Sequence, residues 1–256
     1  MHLLINSFVA FNTVIKKTNM IRCHWVKTRR DYMSFSLFNE EDEISNFLND
    51  NRKEMSTMSY IIAVQTDNKI VLAADSRENC TNNKYNNQYK KLYVSNRFIW
   101  CSAGIIKING IDYCKEVANL LRQTDKNIDT ISKEIINLMR PVSLMNPINC
   151  IYNLFIGFLD DKNHPTLLII DINKGNVSTR YSSDYGVSDA GSISLVRAGV
   201  FRNYAISDDN AIDIATSSID IAKSANIKIS LFDKRTIGGR TDWASLSSNG
   251  LITSNI

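Results

Sequence analysis

The chain has 256 residues, of which 44% are hydrophobic and 22% charged, so it can fill a sizeable core and is neither disordered nor collagen-like. A formal net charge of +4 is too small for a polyanion-binding surface unless the basic residues are segregated, and nucleic acid is therefore not an expected partner. Charge is uneven only in residues 1–57, where a basic, acid-free stretch precedes the acidic run from Glu40 to Glu43.

Two kinds of apolar pattern predict the secondary structure. Runs rich in β-branched residues and bounded by turn residues predict strands, and apolar residues spaced three and four apart predict helices. In chain order the predicted elements are strands 60–65, 70–74, 91–94 and 98–102, helices with apolar faces over 108–121 and 131–139, strands 151–158 and 167–172, a third helix over 211–225, a last strand 227–232 and a polar tail.

Local signals predict where two of these helices begin and end. We expect Pro141 to end the second helix and Ser207 to cap the third. The third helix carries small residues at spacings of three and four: Ala211, Ala215, Ser218, Ala222 and Ala225. This stripe indicates close packing, either against another subunit or against the domain's own core.

Strands and helices occur in segregated runs, which favours an α+β fold over an alternating parallel α/β sheet. Each hairpin needs a covered side and each helix has one apolar face. Two antiparallel sheets with helices on their outer faces satisfy both needs, so we expect a four-layer αββα sandwich. It forms one domain over residues 58–256, preceded by an N-terminal extension over residues 1–57.

The N-terminal extension contains no predicted membrane helix. Its apolar stretch, residues 3–14, is interrupted by asparagines and is shorter than the roughly 20 residues needed to span a bilayer. The five cysteines are scattered and form no C-x-x-C pair, which indicates neither a disulfide framework nor a zinc site. We therefore expect a cytoplasmic protein with no membrane partner, no metal and no cofactor.

Two charged residues stand beside predicted strands. Asp75 follows the strand 70–74 directly, in the sequence Ala-Ala-Asp-Ser-Arg, and Lys91 comes sixteen residues later as the second of two lysines. Taken alone, such an aspartate is typical of a turn and such a lysine of an edge strand. No phosphate-binding, dinucleotide-binding, zinc-protease or nucleophile-elbow motif accompanies them.

Taken together, these segments resemble the proteasome β-subunit family, whose bacterial members include HslV and Anbu-type peptidases. The resemblance rests on residues 73–77, on the lysine pair 90–91 where the strand 91–94 begins, and on residues 102–104, which are expected to open a helix. In that family a catalytic Thr begins the mature chain, an Asp follows sixteen residues later and a Lys sixteen beyond that. Here the three positions hold Ser59, Asp75 and Lys91. The segment 233–239 is similar to the family's Asp-x-x-Ser-Gly-Gly, with one additional residue.

The resemblance implies the N-terminal-nucleophile hydrolase fold and assigns a role to each residue. Ser59 is the expected nucleophile, and its own α-amine the base, because an amine with a pKa near 8 accepts the hydroxyl proton. Lys91 is expected to stabilise the developing alkoxide, Asp75 to keep Lys91 charged, and the Gly104 N–H to bind the oxyanion. The residues implied to orient Ser59 from outside are Asp233, Thr236 and Ser192.

The sequence departs from the family pattern just before the nucleophile. Ser59 stands in place of Thr, and Met58 precedes it where self-cleaving members carry Gly. Residues 1–57 are therefore interpreted in three ways: as a propeptide, as a transit peptide, or as translation from upstream of a true start at Met58. Removal of that initiator methionine would expose the Ser59 amine without self-cleavage.

The resemblance also implies partners: unfolded protein or peptide substrates, like subunits in rings, and an ATP-dependent unfoldase. It places Glu78 and Tyr89 in the first specificity pocket without indicating which side chains that pocket accepts. Two alternatives stay open. One is a catalytically silent ring subunit, and the other is an N-terminal-nucleophile amidase of another substrate class.

Overall fold

The computed structural model describes residues 22–25, 33–36, 59–79, 85–104, 107–108, 111–123, 126–145, 151–173, 175–182, 185–191, 194–201, 204–229 and 237–254. Its strands are β1 (Arg22–Trp25), β2 (Met33–Ser36), β3 (Tyr60–Gln65), β4 (Lys69–Asp75), β5 (Glu78–Asn79), β6 (Tyr85–Asn86), β7 (Leu92–Val94), β8 (Phe98–Gly104), β9 (Lys107–Ile108), β10 (Ile111–Asp112), β11 (Ile151–Leu159), β12 (Pro165–Asn173), β13 (Asn176–Ser182), β14 (Gly186–Gly191), β15 (Thr241–Ser247) and β16 (Gly250–Thr253). Its helices are α1 (Tyr113–Leu121), α2 (Ile128–Met145) and α3 (Ala211–Ile229).

Two five-stranded antiparallel sheets form the frame of the described chain. The first sheet has the order β14-β3-β4-β15-β16, and the second has the order β13-β12-β11-β8-β7. The remaining strands form the short pairs β1-β2, β5-β6 and β9-β10. The prediction of a mixed α+β fold with two antiparallel sheets and helices is therefore confirmed.

Three hydrophobic clusters relate the sheets to the helices. One cluster joins the facing sides of the two sheets and includes Ile61, Leu72 and Phe155. A second joins the first sheet to α3, and a third joins the second sheet to α1 and α2. Both faces of β3 and β4 are covered, which explains why their sequences are mostly apolar and do not alternate with polar residues. The arrangement is compatible with a sandwich.

The small residues of α3 have their explanation within the domain. Ala211, Ala215, Ser218 and Ala222 are buried, and α3 contacts β3, β4 and β15. Short side chains let the helix axis approach the sheet closely. The described part of the stripe thus packs against the domain's own core.

Several predicted boundaries are wrong. Pro141 does not end α2, which continues to Met145. Proline lacks a backbone N–H donor, but its fixed φ is compatible with a helix, and the Pro141 ring is exposed. The first helix does not include Ile108 or Ile111, which lie in the β9-β10 pair. Ser207 does not cap α3 directly, because a turn closed by the bond from the Asn210 amide to the Ser207 carbonyl comes first.

The end of the chain also differs from the prediction. Residues 227–229 continue α3 instead of beginning a strand, and the predicted polar tail forms β15 and β16. Strand β15 pairs with β4 over its whole length, from Thr241 opposite Asp75 to Ser247 opposite Lys69. The serines of β15 weaken its alternating pattern, so pairing with the apolar β4 decides its conformation. Strands β13 and β14 also lay outside the predicted elements.

Candidate active site

The candidate site lies where several strand ends meet. Ser59 directly precedes β3, Asp75 ends β4, and Gly191 ends β14 opposite Tyr60. Because neighbouring strands in this sheet are antiparallel, the start of one lies beside the end of the next. Lys91 precedes β7 of the second sheet, whose residue Leu92 pairs with Cys101. Both sheets therefore contribute to one site.

Three side chains that the sequence placed sixteen residues apart are in contact. The Lys91 ammonium donates one hydrogen bond to Ser59 Oγ at 2.8 Å and another to Asp75 Oδ1 at 2.9 Å. Ser59 is 1% exposed, and the side chains of Asp75 and Lys91 are fully buried. A buried charge needs a partner of opposite sign, since desolvation otherwise favours its neutral form. The ion pair meets that need and directs a cation at the hydroxyl.

The Asp75 carboxylate accepts four hydrogen bonds. Its Oδ1 accepts from the Tyr60 N–H at 2.9 Å as well as from Lys91. Its Oδ2 accepts from the Arg77 N–H at 3.2 Å and the Gly238 N–H at 3.1 Å. These donors fix the orientation of the carboxylate. Asp75 thereby fixes the residue next to Ser59, the position of Lys91 and the segment that leads into β15.

Gly191 is required by the close approach of β14 to the candidate nucleophile. Its φ is +130°, and a Cβ added there would stand 2.0 Å from the Ser59 carbonyl oxygen. No side chain fits at that separation. The glycine thus allows β14 to pack directly against the backbone that carries the Ser59 hydroxyl.

Ser76 joins two segments beside the ion pair. Its hydroxyl donates to the Asn87 carbonyl at 2.5 Å and accepts from the Arg240 N–H at 2.8 Å. Its own N–H donates to the Arg240 carbonyl at 3.1 Å. Gly239 lies between these contacts with a φ of +76°, and an added Cβ there would stand 2.4 Å from Ser76 Oγ. Gly239 thus lets the segment before β15 pack directly against Ser76.

Gly104 lies in a different local context from the one predicted. It ends β8 with a φ of +115° and pairs with Tyr152, and the next described helix begins only at Tyr113. The expected turn into a helix is therefore wrong, because the β9-β10 pair comes first. By the β7-β8 register, Gly104 and Lys91 lie at the same end of the second sheet. That the Gly104 N–H binds the oxyanion stays a prediction.

A buried polar cluster lies on the helix side of β8. Tyr89 donates to Asp112 Oδ1 at 2.9 Å, and Asp112 caps α1. The Ser102 hydroxyl and the Cys114 thiol are 3.0 Å apart. Burial raises the pKa of Cys114 to about 11, so this thiol is neutral and unreactive at neutral pH. Tyr89 and Glu78, the predicted pocket residues, are both buried.

The three predicted supporting residues, Ser192, Asp233 and Thr236, lie outside the described residues. Two described residues of the same segments reach the site: Gly191, which directly precedes Ser192, packs against the Ser59 backbone, and Gly238, within the segment 233–239, donates its N–H to Asp75. The glycines in both segments could have indicated a close backbone approach at the site, although the sequence alone does not show which backbone each one approaches.

No protein-family model matches the chain, and no curated protein matches it. Among the residues that the structure describes, no three His, Cys, Asp or Glu side chains are grouped to hold a metal ion. None of the helices in the described ranges combines the length and apolar character that crossing a bilayer requires.

Proposed function

We propose that this chain is a peptidase subunit of the N-terminal-nucleophile class with the αββα fold of proteasome β-subunits. One observation supports this most directly. The buried Lys91 ammonium is held by the Asp75 carboxylate and donates a hydrogen bond to the Ser59 hydroxyl at 2.8 Å. A purely structural ion pair does not need a hydroxyl at that position, whereas a serine nucleophile benefits from a fixed cation beside its oxygen.

The chemistry requires a free amine on Ser59. The Lys91 ammonium is held by Asp75 and donates to Ser59 Oγ, so the lysine acts as a hydrogen-bond donor and not as the base. The Ser59 α-amine takes the proton from Oγ, directly or through a water, as Oγ attacks the peptide carbonyl carbon. Collapse of the tetrahedral intermediate breaks the C–N bond, and the leaving amine receives that proton. Water then hydrolyses the ester and restores the hydroxyl.

Lys91 and Gly104 supply the electrostatic part of the proposal. The Lys91 ammonium stabilises the negative charge that forms on the Ser59 oxygen as its proton leaves. The Gly104 N–H is proposed as the donor to the carbonyl oxygen, a contact type worth about 3–4 kcal/mol in other acyl-transfer enzymes. Ser192, Asp233 and Thr236 are proposed as the residues that orient Ser59, by resemblance to the family alone.

The proposed assembly is a ring of like subunits in a reducing cytoplasm, with unfolded polypeptide delivered by an ATP-dependent partner. The free, buried thiols of Cys101 and Cys114 are compatible with a reducing compartment.

A second candidate function is supported by a specific observation. In the 256-residue chain the Ser59 nitrogen is part of the peptide bond with Met58, and Ser59 is almost completely buried. A chain that keeps this bond has no free base at the nucleophile. Asp75 and Lys91 would then serve only as a buried structural pair in a silent ring subunit.

One pair of measurements separates the two functions. Intact mass and N-terminal sequencing of the native protein show whether the mature chain begins at Ser59. Turnover of fluorogenic peptides is then compared between that protein, its Ser59→Ala variant and a Ser218→Ala control, because Ser218 is an equally buried hydroxyl on α3.

We expect Ser59→Ala to lower kcat by more than about 1,000-fold while assembly is unchanged, and Ser218→Ala to retain turnover. A native chain that begins upstream of Ser59 and hydrolyses no peptide supports the silent subunit. Unchanged turnover in Ser59→Ala rejects Ser59 as the nucleophile.

A further inference from the structure

We propose that Asp189 is a positioning residue for the Ser59 nucleophile and that it acts through the hydroxyl of Tyr60. This inference rests on the proposed function, because it concerns the geometry of the same reaction. It adds a residue of β14 that neither the sixteen-residue spacing nor the glycine motifs indicated.

Tyr60, the residue that follows the nucleophile, is fixed at both its backbone and its side chain. Its N–H donates to Asp75 Oδ1 at 2.9 Å, and its hydroxyl donates to Asp189 Oδ2 at 3.0 Å. The side chain is fully buried in the cluster between the first sheet and α3. Burial and the neighbouring Asp189 carboxylate raise the pKa of Tyr60 well above its ordinary value. The hydroxyl is thus protonated and remains a donor at neutral pH.

The Asp189 carboxylate connects Tyr60 to the turn after β14. Its Oδ1 accepts from the Ser194 hydroxyl at 2.7 Å, and its Oδ2 accepts from the Val196 N–H at 3.0 Å. The Ser194 hydroxyl also accepts from the Arg197 N–H at 3.1 Å, which closes that turn. Asp189 therefore joins three segments: the start of β3, the end of β14 and residues 194–197.

The position of Ser59 depends on this connection because two contacts from β14 reach adjacent residues. Gly191 packs against the Ser59 carbonyl, and Asp189 holds the Tyr60 ring two residues earlier on the same strand. If the Tyr60 hydroxyl loses its acceptor, the backbone of Tyr60 is still fixed by Asp75 and by strand pairing with β14, but its ring is fixed by apolar packing alone. A misplacement of about 1 Å at a reacting group lowers rates by about 100-fold.

We expect a chain without the Tyr60 hydroxyl still to fold. In Tyr60→Phe, Asp189 keeps the donors from Ser194 and Val196, so no carboxylate is left buried without partners. The aromatic ring stays in the apolar cluster. A control variant, Tyr181→Phe, deletes another tyrosine hydroxyl that donates to an aspartate, Asp129, at 2.5 Å; Tyr181 is half-exposed, so this variant controls for loss of the bond and not for burial.

The test measures kcat and KM for peptide hydrolysis by the native protein and the variants Tyr60→Phe, Asp189→Ala, Asp189→Asn and Tyr181→Phe. We expect Tyr60→Phe and Asp189→Ala to lower kcat by about tenfold or more with little change in KM. Asp189→Asn keeps an oxygen acceptor for Tyr60, so it should recover part of kcat. Combining Tyr60→Phe with Asp189→Ala should lower kcat no further than Asp189→Ala alone.

A kcat that matches the parent in Tyr60→Phe, or that falls equally in Tyr181→Phe, overturns the inference. Crystal structures of the full-length parent and of Tyr60→Phe supply a second readout that needs no activity. Loss of the 2.8 Å contact between Lys91 Nζ and Ser59 Oγ in the variant supports the positioning role, and an unchanged contact overturns it. An inactive parent with a displaced Ser59 in the variant rejects the proposed function but retains the positioning role.

Discussion

Replacing Asp75 by asparagine removes the negative charge from the buried pair with Lys91 while the side chain keeps almost the same shape. The carboxylate has two acceptor oxygens, each of which accepts two hydrogen bonds. An asparagine has one acceptor oxygen and one amide group that donates. Whichever way the amide is oriented, two donors that bonded to Asp75 then face another donor.

The size of the effect follows from these contacts. A buried donor without an acceptor costs about 1–3 kcal/mol, and removal of one member of a buried ion pair costs about 3–5 kcal/mol. The two figures describe overlapping interactions and are not summed. We expect Asp75→Asn to lower the free energy of unfolding by about 3–5 kcal/mol, which is a large part of the 5–15 kcal/mol that is typical of a domain.

The assay is equilibrium unfolding in urea, followed by tryptophan fluorescence and by circular dichroism. With a slope of about 2 kcal/mol per molar urea, the midpoint should fall by about 2 M. Asp220→Asn is the matched control, because Asp220 accepts from Lys223 Nζ at 3.0 Å but is 67% exposed. Exposed ion pairs contribute little, so this change should stay within about 0.5 kcal/mol.

A loss of less than about 1 kcal/mol in Asp75→Asn, or an equal loss in Asp220→Asn, would refute the conclusion that burial and four donors make Asp75 the centre of the site. A changed slope would indicate a changed native or denatured ensemble, and the midpoint alone would then not measure stability.

Gly191→Ala should reduce the free energy of unfolding by at least about 2 kcal/mol more than Gly186→Ala, as measured in urea. Both glycines have positive φ, but only a Cβ at 191 meets the Ser59 carbonyl, whereas one at 186 meets no atom within 4 Å; equal losses would contradict the steric argument. Hydrogen bonds, first that from Thr66, lower the pKa of Asp208 below its ordinary value. This carboxylate therefore stabilises the fold above about pH 4, and its contribution is lost as the pH falls through the lowered pKa. Thermal midpoints of parent and Asp208→Asn should differ at pH 7 and converge only once the pH has fallen below the lowered pKa of Asp208, and a constant difference would contradict the prediction.

The elements with strong periodicity were predictable from the chain alone. The hairpin of β3 and β4 and the pair β11 and β12 are buried apolar runs with polar turns between them, and both lie within one or two residues of the predicted bounds. The edge strand β13 and the serine-rich β15 were not predictable, because their conformation depends on pairing with apolar neighbours. Pro141 shows the converse, since packing of the preceding turns carries α2 past a residue that usually ends a helix.

The sequence by itself determined that Ser59, Asp75 and Lys91 occur at equal spacing beside predicted strand ends. The spacing of residues along the chain can be read from the sequence. Antiparallel pairing of the neighbouring strands then brings the ends that carry these residues together. Only the tertiary structure decided which distant groups complete the contacts: the Gly238 N–H on Asp75, the Gly191 backbone on Ser59, and Asp189 on the Tyr60 hydroxyl. These partners come from segments more than 100 residues away, and no local pattern encodes a meeting that only the pairing of whole strands creates.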